Sequence, residues 1–371
     1  MSQVLFFAVK FVLVLSLAFY PNVAPAETHL SSYSLQNTVY QQDENPLFTN
    51  EEILEIKLSM DYGALLKDRG EDSKYHPAIL SYTDSNGLVT VMNLKAKVRG
   101  NRRRDPSVCA FPPLLLNFVR KTSGQTIFNK VNKVKLVTHC INEDYVIREF
   151  LVYKLYNVLT NYSFRVKLCR VTYEDLKSKR KTEKRYAFMI EDDSEMAKRN
   201  NSELVKKELV INMRETDEEA MALLAFFQYM IGNTDWSVPY RHNIELMATD
   251  PLSPAIPVTY DFDYAGIVDA PYASPPPELN ITSVRQRLFR GYSYSPNTLR
   301  KTINTFNARR TSIYGLYKQE YDLLDKSYLK RTMKYLDEFY ETINDPKRLD
   351  KKINKVGQKN QEKYVVVKGL E

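Results

Sequence analysis

Residues 232 to 266 read G-N-T-D-W-S-V-P-Y-R-H-N-I-E-L-M-A-T-D-P-L-S-P-A-I-P-V-T-Y-D-F-D-Y-A-G, a stretch that sets carboxylates and amides between apolar runs. The run before it, Ala220 to Ile231 (A-M-A-L-L-A-F-F-Q-Y-M-I), is long enough for a core helix, and Gly232-Asn233 supplies its stop signal. Asp235 then lies just past the end of a rigid element. Asn243 to Met247 and Ala255 to Tyr260 read as short strands with a Pro-rich turn between them. That hairpin puts Asn243 at the start of one strand and Asp261 at the end of the other.

Two hard oxygen ligands at one end of a hairpin suit Mg²⁺, which takes one or two carboxylates and leaves its other positions to water and phosphate oxygens. A third carboxylate, Asp235, is placed to orient a hydroxyl for attack on a phosphoryl group. Each residue taken singly also reads as a turn or capping residue, because short polar side chains satisfy loop backbone groups. Jointly, Asp then Asn then Asp at the mouths of successive apolar elements repeats the logic of a kinase catalytic loop and metal-binding turn.

This pattern resembles the spore-coat CotH kinase family, whose members carry a G-N-x-D loop, a downstream Asn before a strand, and a D-x-D turn. The likeness extends more weakly through Val98-Arg99-Gly100-Asn101 and from Lys133 to Tyr173, about two thirds of the mature chain in all. It implies an atypical protein-kinase-like fold with Asp235 as the catalytic Asp, Asn243 and Asp261 on the metal, and Asp263 supporting them. Family members tend to follow R-G-N with a hydroxyl residue and a basic-Pro stretch. Here Phe111-Pro112-Pro113 carries no Lys.

Met1 to Ala26 has the form of an export signal: Lys10 is its only charge, Phe11 to Tyr20 its apolar core, and Ala24-Pro25-Ala26 its cleavage site. The mature protein is expected to begin at Glu27 in a periplasmic, cell-envelope or secreted location, with no membrane span left after cleavage. It is long enough for one two-lobed unit or two ordinary domains. A hydrophobic content of 43% fills a substantial core, and a net charge of +8 suits phosphate ligands or anionic surfaces. No nucleic-acid motif accompanies that charge, so nucleic acid is not an expected partner. Cys109, Cys140 and Cys169 lack C-x-x-C spacing, which argues against a zinc ribbon or a thioredoxin-type pair. One disulfide with one thiol left over, or three buried small hydrophobes, both remain open.

Residues 27 to 50 read as an extended polar arm and 51 to 190 as a β-rich N-terminal lobe. Strands are expected at Ile53–Leu58, Ile79–Tyr82 and Gly87–Val98, the last two joined by an Asp84-Ser85-Asn86-Gly87 hairpin turn. Val89, Val91, Leu94 and Val98 are assigned to the inward face. Leu114–Phe118, Val131–Val137, Phe164–Tyr173 and Tyr186–Ile190 are further strands, and Asp144–Leu159 a helix. The segment from Arg99 to Arg104 is a phosphate-holding loop or a solvated basic one. A kinase-like fold needs a strand Lys paired with a helix Glu on the nucleotide phosphates; Lys135 and Glu149 are the candidates. His139 beside them reads as structural. Glu191-Asp192-Asp193 marks the lobe boundary, where the backbone at Glu191 would meet the adenine ring.

From 191 to 345 the composition turns helical, with helices at Glu195–Lys207, Glu218–Ile231, Ser295–Asn307 and Tyr314–Ile343, followed by a basic tail from 346 to 371. Strands first and helices after give an α+β class, here a two-lobed protein-kinase-like fold with a mainly helical C-terminal lobe. Arg285, Arg287 and Arg290 either grip an acidic substrate or line a surface helix. The expected function is an exported kinase that transfers a phosphoryl group from ATP, with Mg²⁺ or Mn²⁺, to a protein or other hydroxyl acceptor. The competing readings are a non-catalytic, pseudokinase-like binding module of the envelope and a metal-dependent phosphoester hydrolase.

Overall fold

The computed structural model describes residues 45–84, 86–118, 124, 126–319, 321–362 and 367. The expected leader at Met1–Ala26, the arm as far as residue 44 and the strand-like residues 364–366 lie outside the described residues. Strands β1 (Leu54–Met60), β2 (His76–Thr83) and β3 (Val89–Val98), with helix α1 (Tyr62–Lys67) between the first two, open the described chain. β4 (Leu114–Phe118) and β5 (Lys133–Val137) precede helix α2 (Glu143–Leu159), and β6 (Val166–Asp175) and β7 (Glu183–Ile190) follow it. Next come α3 (Asp193–Arg199), β8 (Glu203–Leu204), α4 (Glu218–Ile231), β9 (Ile244–Ala248) and β10 (Ile256–Thr259). Four further helices, α5 (Pro296–Gln319), α6 (Lys326–Asn344), α7 (Pro346–Leu349) and α8 (Lys355–Glu362), complete the chain, with a π-helical turn at Asp350–Asn354 joining the last two.

Seven strands close into a barrel in the order β1-β2-β3-β4-β5-β7-β6. The neighbours are antiparallel except at the seam, where β1 runs parallel to β6 from Leu54 opposite Cys169 to Met60 opposite Asp175. Closure gives every strand of the barrel a neighbour on both sides, so the sheet has no edge strand. The alternation of side chains along a strand then deals residues to two cores. On β6 and β7, Cys169, Val171, Tyr173, Ala187 and Met189 fill the barrel. Their alternates Leu168, Phe188 and Ile190 face outward into a second core shared with α2, α4 and the C-terminal helices.

This architecture corrects the expected α+β, two-lobed protein-kinase-like fold: the strands form a closed seven-stranded barrel in a mixed α/β chain. The barrel wall itself supplies one side of the helical core.

Smaller expectations divide. The hairpin turn at 84–87 is present: Gly87 has φ +79° and the Asp84 carboxylate accepts from the Asn86 and Leu88 amides. The register of β3 is the opposite of that expected at its start, since Val89 and Val91 are exposed while Met92, Leu94, Ala96 and Val98 are buried. The expected helix at Glu195–Lys207 stops at Arg199, where Asn201 turns to φ +52°. The tail after Pro346 is helical as far as Glu362 and buries Ile353.

The three-stranded sheet β10-β9-β8 carries the hairpin read from the sequence, with Thr259 opposite Ile244. Pro257 sits on its edge strand β10, where a missing N–H breaks no ladder.

Candidate active site

The site is assembled from loop ends that buried elements hold still. Helix α4 is capped by the Asp217 side chain on the Ala220 amide and ends at Gly232, φ +68°. A Cβ at Gly232 would fall 2.0 Å from Tyr335 Oη, so both the backbone angle and the space require glycine. Asn233 Oδ1 accepts from the Asp235 amide at 3.0 Å, and Trp236, fully buried, donates from Nε1 to the Asn233 carbonyl. These contacts fix the turn on which Asp235 stands.

Two residues then hold the Asp235 carboxylate. His242 Nε2 lies 3.2 Å from Oδ1, and Asn243 Nδ2 donates to Oδ2 at 3.0 Å and to the Asp235 carbonyl at 2.8 Å. Asn243 has φ +53° and Asp261 φ +57°, left-handed angles that Asn and Asp tolerate better than most residues. Across the β9–β10 hairpin the Tyr260 amide donates to the Asn243 carbonyl, and the Asp261 amide donates to Tyr153 Oη on α2. Between Asp261 and Asp263, Phe262 is buried against Tyr153 and Phe227. An apolar residue thus anchors the turn while its two neighbours face polar surroundings.

Arg103, on a single 3-10 turn at Arg102–Arg104, enters this cluster. Its Nη1 is 3.0 Å from Glu149 Oε2, Nη2 is 2.6 Å from Asp261 Oδ1, and Nε is 3.2 Å from Asp263 Oδ2. Tyr272 Oη donates to the same Asp263 oxygen at 3.1 Å. Burial pushes the Asp263 carboxyl well above the ordinary range, since Arg103 offsets it only in part and Asp261 and Glu149 add to the rise. Burial also raises Glu149 against the pull of Arg103. For Asp261 desolvation is outweighed by Arg103, then Arg99, and the carboxyl is held below its usual value. The carboxylates in turn keep the Arg103 guanidinium charged despite its burial.

A cavity of about 460 Å³ brings together Asp235, Asn243, Asp261 and Asp263 with Arg99, Arg102 and Arg103. His242 and Tyr264 also line it. A larger cavity of about 720 Å³, between residues 129–134 and 192–198, contains none of the four site residues; chemistry rather than size selects the smaller one.

The expected nucleotide set is only partly gathered. Arg99 lines the cavity, but the expected Lys135–Glu149 pair is not formed: Lys135 Nζ bonds Asp193 at 2.6 Å while Glu149 bonds Arg103. Lys135, Glu149, Arg99 and Asp261 do share the walls of a narrow void of about 10 Å³. Glu191 lies outside both spaces. Its carboxylate pairs with Arg199 and accepts from the Arg165 amide, which fastens β7 to α3. Arg285, Arg287 and Arg290 form no surface helix and face inward, donating to the Gly266, Met230 and Thr234 carbonyls respectively. They brace the site loops. Arg103 and His242 were not singled out by the sequence; His242 carries a signal in its position beside Asn243, whereas Arg103 is indistinguishable from its neighbours.

Among the described residues, no group of three or more His, Cys, Asp or Glu side chains is arranged to hold a metal ion. The oxygens that remain for a cation belong to a mixed set. Asn243 spends its Nδ2 on Asp235, leaving Oδ1; Asp261, with a side chain 32% exposed, has one oxygen on Arg103 and also shares a side-chain hydrogen bond with Asp263. Oxygen donors of this kind fit Mg²⁺ or Mn²⁺ completed by water and phosphate.

No protein-family model matches the chain, and no curated protein matches it.

Proposed function

We propose that the protein is an exported, CotH-like phosphotransferase that moves a phosphoryl group from a nucleotide such as ATP to a hydroxyl acceptor on a protein or another molecule. The observation that carries this reading is the meeting of Asp235, Asn243, Asp261 and two arginines, Arg99 and Arg102, around one cavity. Asp235, held through both oxygens, orients the acceptor hydroxyl and takes its proton as the oxygen attacks phosphorus; the bond to the departing nucleoside diphosphate breaks in the same displacement. Arg99 and Arg102 bind phosphate oxygens. Asn243 and Asp261 would hold a divalent cation, which would neutralise charge on the phosphate. Export is supported by the leader-like N-terminus and by the Cys109–Cys140 disulfide, a bond that persists in oxidising compartments. No helix among the described residues is long and apolar enough to cross a membrane.

The second reading, a pseudokinase-like binding module, draws on Lys135 being bonded away to Asp193 and on Arg103 occupying the carboxylate cluster. Calorimetric titration of the protein with ATP, with and without Mn²⁺, separates the two. The phosphotransferase reading expects metal-dependent heat and slow transfer to an added hydroxyl acceptor or to water. Asp261→Ala should abolish the metal-dependent binding, whereas Asp235→Ala should spare binding and lower turnover by at least about 100-fold. Equal loss in both variants would refute the roles assigned, and nucleotide binding without any turnover would favour the binding module. Release of phosphate from a simple monoester without nucleotide would mark a hydrolase instead.

A further inference from the structure

The hairpin between β6 and β7 turns through Leu176-Lys177-Ser178-Lys179-Arg180-Lys181-Thr182, every residue of which is exposed. The turn is built on Asp175, which is buried. Its Oδ2 accepts from the Lys179 and Arg180 amides at 2.9 and 3.1 Å, its Oδ1 from the Tyr62 amide at 3.2 Å, and its carbonyl from the Ser178 amide at 2.9 Å. Backbone groups therefore take up the carboxylate and shape the tip, and the basic side chains are left out of that work. At the base of the hairpin charges are matched, Lys184 with Glu55 and Arg185 with Glu183. At the tip, Lys177, Lys179, Arg180 and Lys181 have no ion-pair partner among the described residues.

Four positive charges within five residues equal half of the formal net charge of +8. Cations so close together repel one another, and a negative surface brought within a Debye length turns that repulsion into attraction. Leu176 narrows the kind of surface. It is 54% exposed beside Lys177, and an aliphatic side chain gains nothing against a hydrated soluble polyanion but is stabilised where it enters the acyl boundary of a lipid layer. The strand register also places this tip at the barrel end where the Arg99–Arg104 loop begins. Met60 lies opposite both Asp175 and Ala78, and His76 opposite Ala96, just before β3 ends at Val98.

We propose that residues 176–182 form a peripheral membrane-docking surface, in which Lys177, Lys179, Arg180 and Lys181 engage anionic phospholipid headgroups and Leu176 enters the lipid layer. Docking by this end brings the loop that carries Arg99 and Arg103 to the lipid side of the barrel. The surface needs neither nucleotide nor metal, so it stands or falls apart from the phosphotransferase reading.

The test is co-sedimentation of the chain from Glu27, freed of its leader, with phosphatidylcholine vesicles that do or do not contain phosphatidylglycerol, without nucleotide. The wild-type protein should bind the anionic vesicles, ignore the neutral ones and release as salt is raised. Lys177→Gln/Lys179→Gln/Arg180→Gln/Lys181→Gln should bind at least about 100-fold more weakly, given the contribution of each basic side chain at an anionic surface. Removing the same charge from α6, as Lys326→Gln/Lys330→Gln/Arg331→Gln/Lys334→Gln, should cost less than about tenfold. Leu176→Gln should weaken binding to anionic vesicles yet leave binding to inorganic polyphosphate, a soluble polyanion, unchanged. The tip variant should melt with the wild type; if it does not, Lys179→Gln/Lys181→Gln decides, with at least about a tenfold loss expected. No binding to anionic vesicles, equal binding to neutral ones, a tip variant that binds like the wild type, or an equal loss in the α6 variant would each overturn the proposal. Vesicle binding indifferent to Leu176→Gln would also overturn it, in favour of a soluble polyanion.

Discussion

His139 is stacked on Phe111 with ring centres 4.7 Å apart and has Tyr173 at 5.5 Å. Burial pushes its pKa down to about 4, and Glu183 and Glu143 counter this less than burial and the nearby Arg185 and Arg180 impose it. The sign follows directly. The folded chain keeps the ring neutral and the unfolded chain protonates it near 6.5, so the unfolded state binds more protons between those values and stability falls as pH drops from about 6.5 to 4. The full effect at pH 4 is about 3 kcal/mol. His139→Phe keeps the stacking and removes the titration. Urea unfolding at pH 7.5 and pH 4 should therefore show a smaller acid loss in the variant; identical losses would mean that other groups carry the acid sensitivity. The same scale shows why Arg103 escaped the sequence reading. Arg102, Arg103 and Arg104 are chemically alike, and only the Gly100 and Asn101 backbone angles, φ +100° and −105°, decide which one turns inward. Asp235 and Asp261 could be placed because each follows a hydrophobic run, and Asn243 because one begins just after it.

At the scale of elements, position was easier to read than register or length. β9, β10 and α4 fall where the sequence places them, since Gly232 and the prolines punctuate them. β3 was misread at its start because Val89 and Val91 alternate as well as Met92 and Leu94 do, and only pairing with β2 and β4 chooses the face. The Cys109–Cys140 disulfide shows what such coupling does for the site. It joins the segment just after the Arg103 turn to the residues just before α2, which carries Glu149, and so closes a loop of 31 residues across the two walls that Arg103 bridges. Loop-closure entropy assigns such a bond about 3–4 kcal/mol. A Cys109→Ser/Cys140→Ser variant should melt at a clearly lower temperature than the oxidised wild type, and reducing agent should lower the wild type to match it. Wild-type melting that is indifferent to reductant would show that the bond adds nothing to stability, while Cys169, buried in the barrel, should remain unreactive in the folded state.

Closure of the barrel was out of reach of local pattern because its seam pairs β1 with β6, more than a hundred residues apart along the chain. A hydrophobic strand at the edge of an open sheet and one at the seam of a barrel carry the same alternation, so the sequence left the choice between a two-lobed molecule and a closed one to tertiary packing. The consequence is energetic. Phe188 is fully buried on the outward face of β7 and touches the rings of Phe150 and Tyr153 on α2, which makes it part of both the barrel wall and the helical core. Truncation there, Phe188→Ala, should cost about 3–5 kcal/mol. In a molecule of two lobes with separate cores, that loss would fall on one lobe and split the thermal transition. With a shared core the barrel and the helices should lose stability together, so calorimetry should record a single transition displaced to lower temperature. A wild-type endotherm that resolves into two components, or a variant in which only the barrel amides lose hydrogen-exchange protection, would show that the two cores unfold independently.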